Sequence, residues 1–165
     1  MINRFLISLC SLLAIVFAQV PCVAIAQDAS SLQIVGSTSE AAPIQLSLED
    51  LDELAQISFA TSTIWTDEVA TFSGVSLKEL LEKLNISGPA IELIALNEYS
   101  ITIPTGELDT PLPIIATRMN GQQMSIRDKG PFWLVYDYDS DAKFQNETIY
   151  SRSIWQLNRI KVVEQ

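Results

Sequence analysis

Aromatic and cationic side chains gather at junctions between the predicted loops and strands of this sequence. Three segments carry them: Asn97 to Tyr99, Arg127 to Trp133, and Tyr150 to Trp155. Within the middle segment, Gly130-Pro131 predicts a turn with an open backbone. Arg127 and Lys129, together with Arg152, predict an electropositive mouth beside stacking rings. Such a mouth suits a planar, polar small molecule, including an anionic one.

The same residues also fit an ordinary structural role. Trp133 and Trp155 would then belong to the core, because aromatic side chains dominate protein cores generally. The cations would form salt bridges around them. Residue spacing alone leaves both interpretations open.

Other kinds of chemistry are excluded by what the sequence lacks. It has no histidine, which removes a Ser-His-Asp triad and every imidazole metal ligand. Its two cysteines, Cys10 and Cys22, both lie in a predicted export signal, so the mature chain has no thiolate for catalysis or for a soft metal. An all-carboxylate hydrolase remains an alternative. Glu98 and Asp128 are its candidate acids, although exposed loop positions explain both more simply.

Residues 1–26 have the features of a signal peptide. Arg4 supplies a positive charge, and Phe5 to Ala18 is an uncharged, apolar stretch. Ala24-Ile25-Ala26 places small residues where a signal peptidase reads, so we expect cleavage between Ala26 and Gln27 and a periplasmic protein. The alternative is a membrane anchor, but the apolar stretch is short for a bilayer span of ~20 residues.

The sequence is strongly acidic, with a formal net charge of −10 at pH 7. This charge argues against nucleic acid and anionic lipid as partners, because both would be repelled. The chain left after cleavage has a length typical of one domain, and a domain of that size buries enough surface to fold without disulfides.

The elements that position these residues follow from local patterns. Residues 27–42 are predicted to be a flexible N-terminal lead, with Leu32–Val35 as a short strand inside it, and residues 43–165 form the domain. Capping boxes at Ser47 to Asp50 and at Ser76 to Glu79 predict the starts of two helices.

Most of the remaining domain alternates or runs apolar in the manner of strands. Gly74 is predicted to end one of these strands, and Asn120-Gly121 predicts a tight hairpin because both residues tolerate positive φ. Two helices among about seven strands indicate an α+β fold, with the helices on one side of a mixed sheet.

Four stretches, taken in order, resemble the small periplasmic members of the sulfite-oxidase, molybdopterin-binding fold. They are Phe72 to Leu81, Ala95 to Tyr99, Arg127 to Tyr136, and Arg152 to Leu157. The resemblance runs from about Pro43 to Val163 and implies a sulfite-oxidase-like mixed β-sheet or barrel with a few short helices. The family's enzymes hold molybdenum through a dithiolene on the pterin and one protein cysteine. The mature chain lacks that cysteine, which argues against molybdenum redox catalysis.

The resemblance includes a branch without catalytic activity, whose members bind pterins and report to a membrane-bound cyclic-di-GMP enzyme. It implies a periplasmic sensor that takes a pterin as ligand, needs no metal and has a membrane-bound partner. The tryptophans and the tyrosine would stack, the asparagine would bond the ring edge, and the arginines would recognise polar or charged groups. The expected contact residues are Trp133, Arg127, Tyr99, Asn97, Trp65, Arg152 and Trp155.

Two other functions stay open for the sequence. One is a molybdopterin-dependent oxidoreductase subunit that uses a different metal ligand. The other is an interaction module whose groove holds a membrane partner and no small molecule.

Overall fold

The computed structural model describes residues 30–36 and 42–163. The predicted signal peptide, its cleavage site and part of the predicted lead lie outside these ranges. Within them, no helix is long and apolar enough to cross a membrane. The described chain is an α+β domain with ten strands and three short α-helices.

The strands of the described chain form two sheets. In chain order the strands are β1 Leu32–Val35, β2 Ile44–Leu46, β3 Ile57–Thr61, β4 Ala70–Ser76, β5 Ala90–Ala95, β6 Ser100–Pro104, β7 Ile114–Met119, β8 Gln122–Gln123, β9 Trp133–Val135 and β10 Leu157–Val163. The helices are α1 Leu48–Asp52, α2 Leu77–Lys83 and α3 Glu147–Arg152.

The first sheet has the order β2-β1-β10-β5-β6. Its β1–β10 pair is parallel and its other pairs are antiparallel, so this sheet is mixed as predicted. The second sheet has the order β3-β4-β7-β8, with β9 paired to the other side of β7, and all its pairs are antiparallel. Across the described residues the two sheets remain open and do not close into a barrel.

Strand β1 corrects the predicted start of the domain. It lies between β2 and β10, and its Leu32 and Ile34 side chains are fully buried. Alternating burial along a strand is what places one face of a sheet against a core. The short strand expected inside the lead is therefore confirmed, but it belongs to the folded domain, and the boundary predicted at Pro43 is too late.

Both predicted helix starts are confirmed by their caps. The Asp50 amide donates to Ser47 Oγ at 3.2 Å, and the Ser47 amide donates to Asp50 Oδ2 at 2.8 Å, which completes the first capping box. At α2 the Glu79 amide donates to Ser76 Oγ at 3.3 Å. The predicted Asn120-Gly121 turn joins β7 to β8, with φ values of 52° and 76°.

Gly74 corrects the prediction that it ends a strand, because it lies inside β4. A Cβ placed on it would come within 2.0 Å of the Ile115 carbonyl oxygen on β7. The absence of a side chain is therefore what permits the close approach of β4 to β7 at this position. A register shift between Ser73 and Gly74 marks the same place in the ladder.

Helix α3 is a third correction, since the segment from Tyr150 to Arg152 was expected to be loop. Asn146 caps this helix by accepting a hydrogen bond from the Ile149 amide at 3.1 Å. The helix has only six residues, none of them fully buried, so it lacks the apolar stripe by which longer helices are found in a sequence.

Candidate functional site

A cavity of about 350 Å³ opens where three segments of the chain meet. The tip of the β5–β6 hairpin, the end of α3 with the residues that follow it, and the loop between β3 and β4 surround it. Most of the lining surface is aromatic or aliphatic, and the polar groups are amides and hydroxyls. The lining residues are Trp65, Ala95, Asn97, Tyr99, Tyr150, Ser151, Ser153, Ile154 and Trp155.

Trp65 is the centre of the aromatic cluster beside this cavity. Its ring makes edge-to-face contacts with four other rings, at centroid distances between 5.7 and 6.2 Å. This is the geometry that aromatic quadrupoles favour. The four partners are Trp133, Tyr138, Tyr150 and Trp155.

Hydrogen bonds hold the loop that carries Trp65. The Ser62 amide and hydroxyl both donate to the Asp139 carboxylate, each at 2.6 Å, and these bonds lower the pKa of Asp139 below its usual value. The Trp65 amide donates to Thr63 Oγ1 at 3.0 Å. The loop therefore has a defined conformation although it lies at the surface.

The hairpin tip presents Asn97 and Tyr99 to the cavity. Asn97 Oδ1 accepts a hydrogen bond from the Tyr99 amide at 3.1 Å, and Glu98 between them has a φ of 63°. The Glu98 carboxylate pairs with Arg159 Nη2 on β10 at 3.1 Å. This ion pair connects the tip of the hairpin to the neighbouring strand. The turn that carries Asn97 is therefore held in a defined position.

Gln156 fixes the backbone next to Trp155. Its amide donates to the Lys129 carbonyl and its carbonyl accepts from the Leu96 amide, both at 2.9 Å. Its side chain donates to the Ile126 carbonyl at 2.7 Å, and its φ is 52°. One residue thus connects the Trp155 segment to the β5–β6 hairpin and to the loop before β9.

Ser153 organises the buried side of the cavity. Trp133 Nε1 donates to the Ser153 carbonyl at 3.1 Å, and the Tyr138 hydroxyl donates to Ser153 Oγ at 2.6 Å. Ser153 Oγ in turn donates to the Ile149 carbonyl on α3 at 2.8 Å. Burial raises the pKa of Tyr138 well above its usual value, so this phenol remains a neutral donor.

The structure brings together four of the seven predicted contact residues and separates three. Trp65, Asn97, Tyr99 and Trp155 line the cavity. Trp133 does not, because it is fully buried beneath Trp65, as the core interpretation of this residue expected.

The cations of the predicted electropositive mouth do not line the cavity. No cation is found among the described residues that line the cavity. Arg152 instead pairs with Glu107 through Nη2 at 2.5 Å, and Lys129 places Nζ 5.5 Å from the centre of the Trp133 ring. Arg127 lies exposed on a short 3₁₀ turn, Ile126–Asp128, outside the lining set.

Sequence reasoning missed Tyr150 and Ser151 as lining residues. Both stand in the junction segment that drew attention to Arg152 and Trp155, but no feature of the sequence distinguishes them from their neighbours. Their role depends on α3, whose last turn brings Tyr150 within 6.0 Å of Trp65.

The two candidate acids have structural partners. Glu98 pairs with Arg159, and the Asp128 carboxylate accepts a hydrogen bond from Ser125 Oγ at 2.7 Å. In the described ranges no group of three or more His, Cys, Asp or Glu side chains is placed to hold a metal ion. The loop interpretation is therefore the one that fits Glu98 and Asp128.

No protein-family model matches this chain, and no curated protein matches it. Solved structures do match. The sulfane dehydrogenase SoxCD from Paracoccus pantotrophus superposes with a TM-score of 0.60 at 15% sequence identity, over 84% of this chain. The chain spans 39% of the length of that SoxCD chain. At this identity the likeness shows the fold alone, and it confirms the predicted α+β, sulfite-oxidase-like fold class.

Proposed function

We propose that the cavity binds a pterin-type heterocycle and that the protein is a ligand-binding protein. The cavity itself carries this proposal. Its volume of about 350 Å³ falls in the ~300–1,000 Å³ range of small-molecule sites, and it is mostly apolar with a few polar groups. A flat bicyclic ring fits that description.

Two exposed aromatic side chains supply the stacking surfaces. Trp155 is 39% exposed and Tyr99 is 52% exposed, and both line the cavity. When a planar ligand covers a large ring that is exposed at the edge of a cavity, the free energy falls because apolar surface is removed from water. The Trp65 ring contacts the Trp155 ring edge to face, at a centroid distance of 5.9 Å, and helps to hold it in position.

Asn97 supplies recognition of the ring edge. Its Oδ1 accepts from the Tyr99 amide, which leaves the amino group to donate to an acceptor on the ligand. Ser151 donates its hydroxyl proton to the Thr148 carbonyl at 2.8 Å, so its oxygen is able to accept a hydrogen bond from the ligand. A pterin edge carries both donors and acceptors and matches these two groups.

The residues present do not fit the molybdenum centre that the fold family implies. In that family's enzymes one cysteine completes the metal site, and the cavity in this protein is lined by aromatic, aliphatic, amide and hydroxyl side chains. None of these described lining groups is a thiolate, imidazole or carboxylate, which are the usual protein ligands of transition metals. The proposed function is therefore binding, without a redox step.

Calorimetric titration of the purified protein with 6-hydroxymethylpterin tests the proposal. We expect saturable binding at one site. Trp155→Ala should weaken it roughly 10- to 100-fold, because stacking of a base on an aromatic side chain contributes ~1–3 kcal/mol. Ile126→Ala, which removes an exposed apolar side chain outside the cavity, is the matched control and should bind normally. Absence of saturable binding to the unchanged protein would contradict the proposal.

We also propose that the protein works in the periplasm and passes ligand occupancy to a membrane-bound cyclic-di-GMP enzyme. The signal-peptide features of residues 1–26 and the family resemblance support this part. Cellular cyclic-di-GMP should then differ between cells with the unchanged protein and cells with Trp155→Ala. Equal levels in the two strains, at equal protein abundance, would count against the relay.

A further inference from the structure

Two arginines belong to segments close to the cavity, and each forms an ion pair with a carboxylate. Arg152 directly follows Ser151, but its guanidinium pairs with Glu107 at 2.5 Å. Arg159 reaches the hairpin tip, where the Glu98 carboxylate accepts from its Nη2 at 3.1 and 3.3 Å. Each ion pair presents little net charge to a ligand in the cavity.

The remaining nearby cations do not line the cavity. The Lys129 ammonium lies 5.5 Å from the centre of the Trp133 ring, and Trp133 is fully buried behind the lining residues. Arg127 is exposed on its 3₁₀ turn. Around these groups the molecule carries a formal net charge of −10, which makes its surroundings unfavourable to anions.

We infer that the cavity selects uncharged pterin-type rings and rejects derivatives that carry a negative substituent. The inference rests on the proposed function and narrows the ligand class of that site. An anionic group that entered the cavity would lose hydration water and would find only uncharged side chains, with amide, hydroxyl and indole groups, among the described lining residues. Burying a charge without a partner is costly, so such a ligand should bind weakly.

Two probes of nearly equal size test the inference by calorimetry. Both 6-hydroxymethylpterin and pterin-6-carboxylate contain the same ring, and the second carries a negative charge at pH 7. We expect the carboxylate to bind at least about tenfold more weakly at low salt. Equal affinity for the two probes would overturn the inference and leave the proposed function standing. Failure of both probes to bind would instead contradict the proposed function.

A variant that adds a charge to the cavity tests the same inference by changing the protein instead of the ligand. Ser151→Lys adds a cation at the exposed lining position and should strengthen binding of pterin-6-carboxylate about tenfold relative to 6-hydroxymethylpterin. Ser151→Gln adds comparable length without charge and should leave the ratio of the two affinities unchanged. An unchanged ratio in Ser151→Lys would overturn the inference.

Arg127→Ala probes the exposed arginine that the sequence predicted to belong to the site. We expect this variant to bind both probes as the unchanged protein does, because Arg127 lies outside the lining residues. A selective loss of pterin-6-carboxylate binding in Arg127→Ala would show that this arginine recognises anions, and the inference would then be wrong.

Discussion

At the scale of single residues, Ser153 connects the core to the cavity. Its hydroxyl accepts from the buried Tyr138 phenol and donates to the α3 backbone, and its carbonyl accepts from the Trp133 indole. The serine is only 2% exposed, so water has little access to the two partners of its hydroxyl if the side chain is removed. A buried polar group that loses its partner costs more free energy than an ordinary hydrogen bond provides.

Ser153→Ala should therefore lower the free energy of unfolding by ~1–3 kcal/mol, because it leaves the Tyr138 hydroxyl buried without an acceptor. Urea denaturation followed by tryptophan fluorescence would measure the change. The double variant Ser153→Ala/Tyr138→Phe removes both partners and should lose less stability than the sum of the single variants. Additive losses would show that the two hydroxyls do not depend on each other.

At the scale of elements, the contact between β4 and β7 depends on a missing side chain. Gly74 permits it, because a Cβ at this position would lie 2.0 Å from the Ile115 oxygen and 2.7 Å from the Ala116 Cα. Both obstacles are backbone atoms, which cannot rotate away as a side chain would. The β4–β7 pair also joins β3 to the strand β9 that carries Trp133.

Gly74→Ala should destabilise the domain by at least about 2 kcal/mol, in the upper part of the range for overpacked cores. Thermal unfolding would detect the loss as a lower Tm. Gly106→Ala is the matched control, because nothing lies within 4 Å of a Cβ placed at Gly106. A Tm for Gly74→Ala equal to that of Gly106→Ala would contradict the close contact.

Some features of these elements could be predicted from the sequence, and others could not. The helix starts at Ser47 and Ser76 and the Asn120-Gly121 turn were predicted correctly, because each depends on residues within four positions of one another. The burial of β1 and the interior position of Gly74 depend on strands far away in the chain. Local patterns hold no information about such pairings.

The same distinction explains the mixed outcome at the candidate site. An exposed Trp155 and a buried Trp133 look alike in a sequence, because each directly follows an apolar residue in a junction segment. Trp65 makes edge-to-face contacts of similar length with both rings, so their different exposure is set by the rest of the fold. The cations were misplaced for a similar reason, since Arg152 meets Glu107 only after folding brings the two together across 45 positions.

At the scale of the whole molecule, acidic groups dominate the response to pH. Arg118 on β7 holds Asp52 of α1 through two hydrogen bonds, at 2.5 and 2.6 Å, and these lower the pKa of Asp52. A carboxyl whose pKa is lower in the folded state stabilises that state above its unfolded value of about 3.9. The stabilisation is lost as the pH falls through the folded pKa. The pKa of Asp139 is lowered in the same way by its hydrogen bonds to Ser62.

We therefore expect the Tm to hold steady between about pH 7 and 5 and to fall below about pH 4. Asp52→Asn should lower stability near pH 6 by at most about 1 kcal/mol, since the pair is partly exposed. That difference should shrink as the pH falls below about 4 and should vanish once the pH lies below the lowered pKa of Asp52. Asp109→Asn, at an exposed carboxylate, is the matched control. A difference between Asp52→Asn and the unchanged protein that persists at low pH would contradict the ion-pair explanation.

The parallel pairing of β1 with β10 has a consequence for the order in which the chain acquires its structure. A polypeptide that leaves the ribosome, or a membrane pore, N-terminus first exposes Leu32 and Ile34 long before Leu157–Val163 arrives. One of the two neighbours of β1, β2, emerges about ten residues later, but the other, β10, emerges more than a hundred residues later. The first sheet can therefore complete its pairing only after residues 157–163 have emerged, and until then one edge of β1 lacks its partner strand.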